Sequence, residues 1–134
     1  MANLYALQGR GKTGKTSTLK EVFNQLSQKY PLAVTEVIRQ TSDIKIIMVI
    51  NGIKVGIESE GDPNGRLEES LHDFVQSSCN VIFCAVRTRG MTVDWVEQYA
   101  PTYRIQYVRQ NFVETDYFVT NVKTAQSLIQ GAGF

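Results

Sequence analysis

The sequence predicts a three-layer α/β domain, a mostly parallel sheet covered on both faces by helices. Three observations carry that prediction. Short apolar runs alternate with amphipathic stretches along the chain. One of them, Val81–Val86, is apolar throughout, as a central parallel strand must be. A tight Asn51-Gly52 turn joins two β-prone runs and places one antiparallel hairpin strand in the sheet.

The elements follow in order. Residues 2–8 read as a buried strand that ends at Gly9. From Thr16 to Lys29, the apolar residues Leu19, Val22, Phe23 and Leu26 recur at helical spacing, and Tyr30-Pro31 stops the helix. Residues 33–38 are β-prone without a clear choice between strand and loop. Ile44–Ile50 and Ile53–Ile57 are the hairpin strands. The turn-rich Gly61–Gly65 leads to a second helix with Leu67, Leu71, Phe74 and Val75 on one side. After Val81–Val86 come a short helix over 92–100, a strand over 103–109 and a last helix over about 116–130. The stripe expected on that last helix is Phe118, Val122, Ala125 and Ile129. Trp95 reads as core and His72 as a solvated helix residue.

Length and composition bound the function. A chain of 134 residues fits a single domain spanning 1–134. Net charge is +1, so no extended nucleic-acid face is implied. Charge is nonetheless uneven: Arg10, Lys12, Lys15, Lys20 and Lys29 face Glu21 alone near the start, whereas six acids face only Arg66 between Glu58 and Asp73. No apolar run is long enough to cross a bilayer, and no leader segment is evident. Cys79 and Cys84 read as reduced core thiols of a cytoplasmic protein. The single histidine leaves a zinc site short of ligands.

The decisive motif is Gly9-Arg10-Gly11-Lys12-Thr13-Gly14-Lys15-Thr16, a complete G-x-x-x-x-G-K-[ST] between a strand and a helix. Its glycines let the backbone curl so that successive N–H groups point into one concavity. The start of a helix adds attraction for anionic oxygens. Lys15 is placed to reach β- and γ-phosphate oxygens as a mobile charge, and the Thr16 hydroxyl to bind Mg2+. Residues 9–16 with the adjoining Ser17 are therefore candidate phosphate contacts.

Two further groups emerge where strands end. Glu58, Glu60 and Asp62 bring carboxylates to the carboxyl edge of the sheet, beside the loop after the first strand. Glu58 is the candidate metal ligand, with Glu60 and Asp62 tied for orienting or deprotonating water. The plain alternative is a polar turn in which Asp62 or Asn64 caps the next helix. Arg87 and Arg89 follow the buried strand Val81–Val86, placed to neutralise a transferring phosphoryl group or hold a phosphorylated acceptor. Surface arginines account for them equally well. Asn111 and Phe112, after the last strand, are candidates for bonding and stacking a base.

With these residues in view, the chain resembles the P-loop nucleoside triphosphatases, specifically in the motif and more broadly in its layout. Residues 44–62, with the hairpin and Glu58-Ser59-Glu60-Gly61, look like the corresponding segment of small GTPases. There an Asp-x-x-Gly element holds magnesium through water and senses the γ-phosphate through the glycine amide. The resemblance thus implies a metal role for Glu58, a sensing role for Gly61 and a water-orienting position for Asp62. The sequence departs from that family in two places. Glutamate replaces aspartate at 58, and Arg87-Thr88-Arg89-Gly90 stands where Asn-Lys-x-Asp would read guanine. Adenine is accordingly the default base.

Three activities fit this reading. The first is Mg2+-dependent hydrolysis of a nucleoside triphosphate, ATP by default, as an enzyme or switch. A small-molecule or nucleotide kinase using Arg87 and Arg89 is the second. The third is a module that holds nucleotide without turning it over, completed by a protein partner or a second copy.

Overall fold

The computed structural model describes residues 2–11, 13–110 and 117–134. Its elements run β1 (Ala2–Gln8), α1 (Lys15–Lys29), β2 (Val34–Gln40), β3 (Ile44–Ile50), β4 (Ile53–Glu58), α2 (Leu67–Gln76), β5 (Val81–Val86), α3 (Met91–Glu97), β6 (Tyr103–Arg109) and α4 (Tyr117–Gly131). The six strands form one sheet in the order β2-β3-β4-β5-β1-β6. β4, β5, β1 and β6 run parallel, and β3 alone opposes the rest. The chain is therefore an α/β domain with a mostly parallel sheet.

Side chains alternate across this sheet and feed two cores. Along β5, Val81, Phe83 and Ala85 join the cluster beneath α1 and α4, with Leu19, Val22 and Leu26 of α1. Ile82, Cys84 and Val86 join the opposite cluster, with Leu71 and Phe74 of α2 and Val96 of α3. Cys79 precedes β5, so strand alternation does not govern it. It lies in the same cluster as Cys84, and both thiols are free. Trp95 packs partly buried against that cluster, and His72 is exposed.

One open expectation is resolved and another is corrected. The uncertain stretch at 33–38 is the edge strand β2, bulged between Val37 and Arg39 and exposed along its length. Its bulge, Glu36 and Arg39 blunt an edge that would otherwise invite another strand. The stripe of α4 is Asn121, Ala125, Leu128 and Ile129, and Phe118 is 66% exposed. α4 runs alongside α1 in the same direction, with Asn121 at Thr18 and Phe134 at Tyr30. Its first turn therefore reaches the level where α1 begins, at the rim of the core. Among the described residues, no helix is long and apolar enough to cross a membrane.

The topology also positions a crevice. β1 leads into α1 on one face, whereas its neighbour β5 leads into α3 on the other. Adjacent strands that send their helices to opposite faces leave an opening beyond their carboxyl ends.

Packing on the α2 face allows one direct check. The ring of fully buried Phe74 lies against the backbone of Gly56, where a Cβ would stand 2.7 Å from a ring carbon. Gly56→Ala should therefore lower unfolding free energy by about 1–3 kcal/mol through overpacking, read as a lower denaturation midpoint at unchanged slope.

Candidate functional site

Gly14 adopts φ +92°, ψ 14°, a left-handed conformation that favours glycine, and α1 starts at the next residue. A left-handed residue followed by helical ones turns successive N–H groups toward one side. Among the described residues no side chain caps α1, so its first-turn N–H groups lack a side-chain acceptor. The Thr13 hydroxyl donates to the Arg10 carbonyl at 2.9 Å and tightens the loop. Gly11 and Gly14 line a cleft of about 310 Å3 together with Thr16 and Ser17. Arg10 is exposed at the surface, and Lys12 lies outside the described residues.

Lys15 is only 8% exposed. Its amine donates to the Gly9 carbonyl and, at 2.9 Å, to the Val86 carbonyl. Burial, reinforced by the nearby Arg87 guanidinium and opposed by Asp62, pulls its pKa down to about 8. An anion placed beside this amine would raise its pKa again by favouring the charged form.

A hydroxyl and carboxylate cluster stands next to the lysine. Thr16 Oγ1 donates to Asp43 Oδ1 at 3.1 Å, with the Ser59 carbonyl 3.4 Å away. Ser59 Oγ donates to the same Asp43 oxygen at 2.9 Å and accepts from Ile44 N–H at 2.8 Å. Asp43 comes from the turn between β2 and β3. Hard oxygens of this kind suit Mg2+, which keeps several waters and takes few protein ligands. Among the described residues, no group of three or more His, Cys, Asp or Glu side chains could hold a metal unaided. Thr16 and Asp43 would be the residues nearest to a cation placed there, and water or a ligand would have to supply the remaining oxygens.

Glu58 does not belong to this cluster, which corrects the expectation that it is the metal ligand. Along β4, Val55 and Ile57 face α1, so Glu58 faces α2, on the other side of the sheet from Thr16. It is fully buried and clamped by Arg66 through Nε at 2.8 Å and Nη2 at 3.1 Å, by Ser70 Oγ at 2.5 Å and by Glu60 N–H at 3.1 Å. Burial pushes its pKa up, against the pull of these donors. The residue after it, Ser59, returns to the cleft side.

The remaining candidates divide. Glu60 and Asp62 line the cleft, but Glu60 bonds Arg66 at 3.1 Å and Asp62 bonds Arg87 at 2.6 Å. Neither Asp62 nor Asn64 caps α2, whose N-cap is Arg66. Gly61 lines the cleft and is packed on the Ala85 carbonyl. Arg87 lays its guanidinium over Gly11, within 3.1–3.3 Å of where a Cβ would be, and its buried Nε has no hydrogen-bond partner among the described residues. Arg89 is exposed, without an ion pair or hydrogen bond among the described residues, and it does not share Arg87's contact with Asp62. Asn111 and Phe112 lie outside the described residues.

Sequence reasoning assigned no role to Asp43, Ser59, Thr18, Asn121 or Gln110. Asp43 sits in a polar turn 27 positions from Thr16. No local pattern distinguishes it from a turn former.

Two outcomes follow from the titrating groups. Arg66→Met strands the buried Glu58 carboxylate and should cost about 3–5 kcal/mol of stability at neutral pH. A raised folded pKa favours the protonated form, so this group's contribution falls as pH rises above the ordinary glutamate value of about 4.5. Denaturation across pH should show a steeper fall in Arg66→Met than in the parent. For Lys15 the folded pKa is depressed, so its contribution to stability rises between about 8 and 10.5. Amine-selective labelling followed by mass spectrometry should find Lys15 reacting with a midpoint near pH 8.

No protein-family model, curated protein or solved structure matches this chain.

Proposed function

We propose that this chain is a P-loop nucleoside triphosphatase that binds ATP with Mg2+ in the Gly9–Thr16 loop and hydrolyses it. One observation carries the reading. The complete G-x-x-x-x-G-K-T sequence forms the helix-opening turn at the carboxyl end of β1, and the Lys15 amine, Thr16 hydroxyl and Asp43 carboxylate converge beside one cleft.

The residues act in distinct ways. Loop N–H groups and the start of α1 attract the phosphates. Lys15 exchanges the carbonyls of Gly9 and Val86 for phosphate oxygens, which favour its charged form. Thr16 and Asp43 hold Mg2+, which neutralises developing negative charge when bound. Arg87, at the rim beside Gly11, trades its ion pair with Asp62 for phosphate oxygens. Asp62, more than half exposed, is then free to orient or deprotonate water. Adenine is the default base, because Arg87-Thr88-Arg89-Gly90 holds no carboxylate to accept the pair of hydrogen bonds guanine would donate.

A second reading has its own support: a module that holds nucleotide without turnover until a partner protein or second copy binds. Glu58, Glu60 and Asp62 are each tied to an arginine, and while those pairs stay closed none of the three can act as base. The kinase reading is weaker, since Arg89 does not join Arg87.

Calorimetric titration with ATP and GTP, each with and without Mg2+, tests the proposal. Lys15→Ala should weaken binding by about 100-fold or more, and wild-type affinity in that variant would overturn the loop's role. Asp43→Asn should cost about 10- to 100-fold in Mg2+-dependent affinity and leave metal-free binding unchanged. Phosphate release from bound ATP then separates hydrolysis from holding.

A further inference from the structure

We propose that Gln110 is the positioning residue of the Gly9–Thr16 loop, its side-chain amide setting the shape in which the loop receives phosphate. The proposal rests on the nucleotide reading for its ligand but on independent geometry for its residue. Gln110 follows β6 directly and is 4% exposed. Its main-chain N–H donates to the Gln8 carbonyl at 2.8 Å, tying it to the end of β1. Its Nε2 donates to the Thr13 carbonyl at 2.8 Å and to Asn121 Oδ1 at 3.1 Å. Its Oε1 accepts from the fully buried Thr18 hydroxyl at 2.7 Å, which also lies 3.1 Å from Asn121 Oδ1.

The amide's orientation is dictated by these neighbours. Nε2 faces two oxygen acceptors and Oε1 faces a hydroxyl donor, so a flip would set oxygen against the Thr13 carbonyl. Two loop glycines close on the same residue. A Cβ on Gly9 would stand 2.5 Å from the Gln110 carbonyl oxygen, and one on Gly14 would stand 2.8 Å from Nε2. The first residue of the loop, its Thr13 carbonyl and the left-handed Gly14 thus all rest on one buried amide. Gln110 does not line the cleft, so it acts through the loop. Glutamate at this position would lose the donor to Thr13 and place negative charge under an anion site. Methionine would fill the space but leave the Thr13 carbonyl without this donor and the Thr18 hydroxyl with Asn121 alone.

The experiment has two arms. In the first, Mg·ATP is titrated into wild type, Lys15→Ala, Gln110→Met, Gln110→Glu, Thr18→Val and Thr18→Ser. Gln110→Met and Thr18→Val should each bind about 10- to 100-fold more weakly, Gln110→Glu more weakly still, and Thr18→Ser, which keeps the hydroxyl, close to wild type. The second arm measures amide hydrogen exchange in the nucleotide-free proteins. Exchange at Thr13–Ser17 should accelerate in Gln110→Met and Thr18→Val while β5 stays protected. Folded Gln110→Met with wild-type affinity, or with unchanged loop exchange, overturns the positioning role. If Gln110→Met does not fold, Thr18→Val against Thr18→Ser decides by the same two readings. Failure of wild type to bind Mg·ATP would instead count against the nucleotide reading, and loop exchange would still decide the role of Gln110.

Discussion

The Gly9 N–H donates to the Val86 carbonyl at 3.1 Å, which carries the β1–β5 ladder one residue past the end of β1. The Lys15 amine donates to the same carbonyl, so one oxygen receives both the first residue of the loop and its lysine. On the other side of β1, Gln110 N–H extends the β1–β6 side in the same way, to Gln8. The loop is therefore launched from a strand held on both edges and buried on both faces. Backbone groups that leave such a ladder must find partners or face solvent. Those that turn inward meet Gln110, Lys15 and Thr13, and those at the start of α1 face the cleft.

Electrostatics at the edge of the sheet follow from the same alternation. One residue of β4, Glu58, is buried against α2 and needs a bidentate arginine, a serine hydroxyl and a main-chain N–H to compensate its desolvation. Its neighbour Ser59 lies on the cleft side and bonds a carboxylate at the surface. A buried charge fully engaged by its own partners is a poor metal ligand, because recruiting it means stranding Arg66. Asp43, reached by two hydroxyls that can turn away at small cost, is chemically the better donor. Arg87 holds a middle position, paired with an exposed aspartate whose grip water weakens.

The two cores bear unequal roles. The cluster under α1 and α4 supports the loop directly, since α1 begins in it and Asn121 of α4 reaches Thr18 and Gln110. The cluster under α2 and α3 fixes Glu58 and the segment that carries Gly61 and Asp62. Both must be packed for the cleft to have two walls. The β2 wing contributes mainly through its final turn, which presents Asp43.

Much was legible in the sequence by itself: the α/β class, the hairpin at Asn51-Gly52, the central strand Val81–Val86 and the Gly9–Thr16 loop all follow from short-range rules. Apolar periodicity, turn chemistry and glycine placement act within a few residues, so a linear reading can use them. Only the tertiary structure decided which carboxylate meets Thr16, which arginine covers Gly11 and what lies beneath the loop. Asp43, Arg87 and Gln110 reach residues 9–16 from three different loops, and their meeting depends on strand order and register, which the chain's local pattern does not encode. Glu58 shows the difference most sharply. Its spacing after the hairpin suggested a metal ligand, but a one-residue alternation, set by which face of β4 meets α2, placed it on the far side of the sheet.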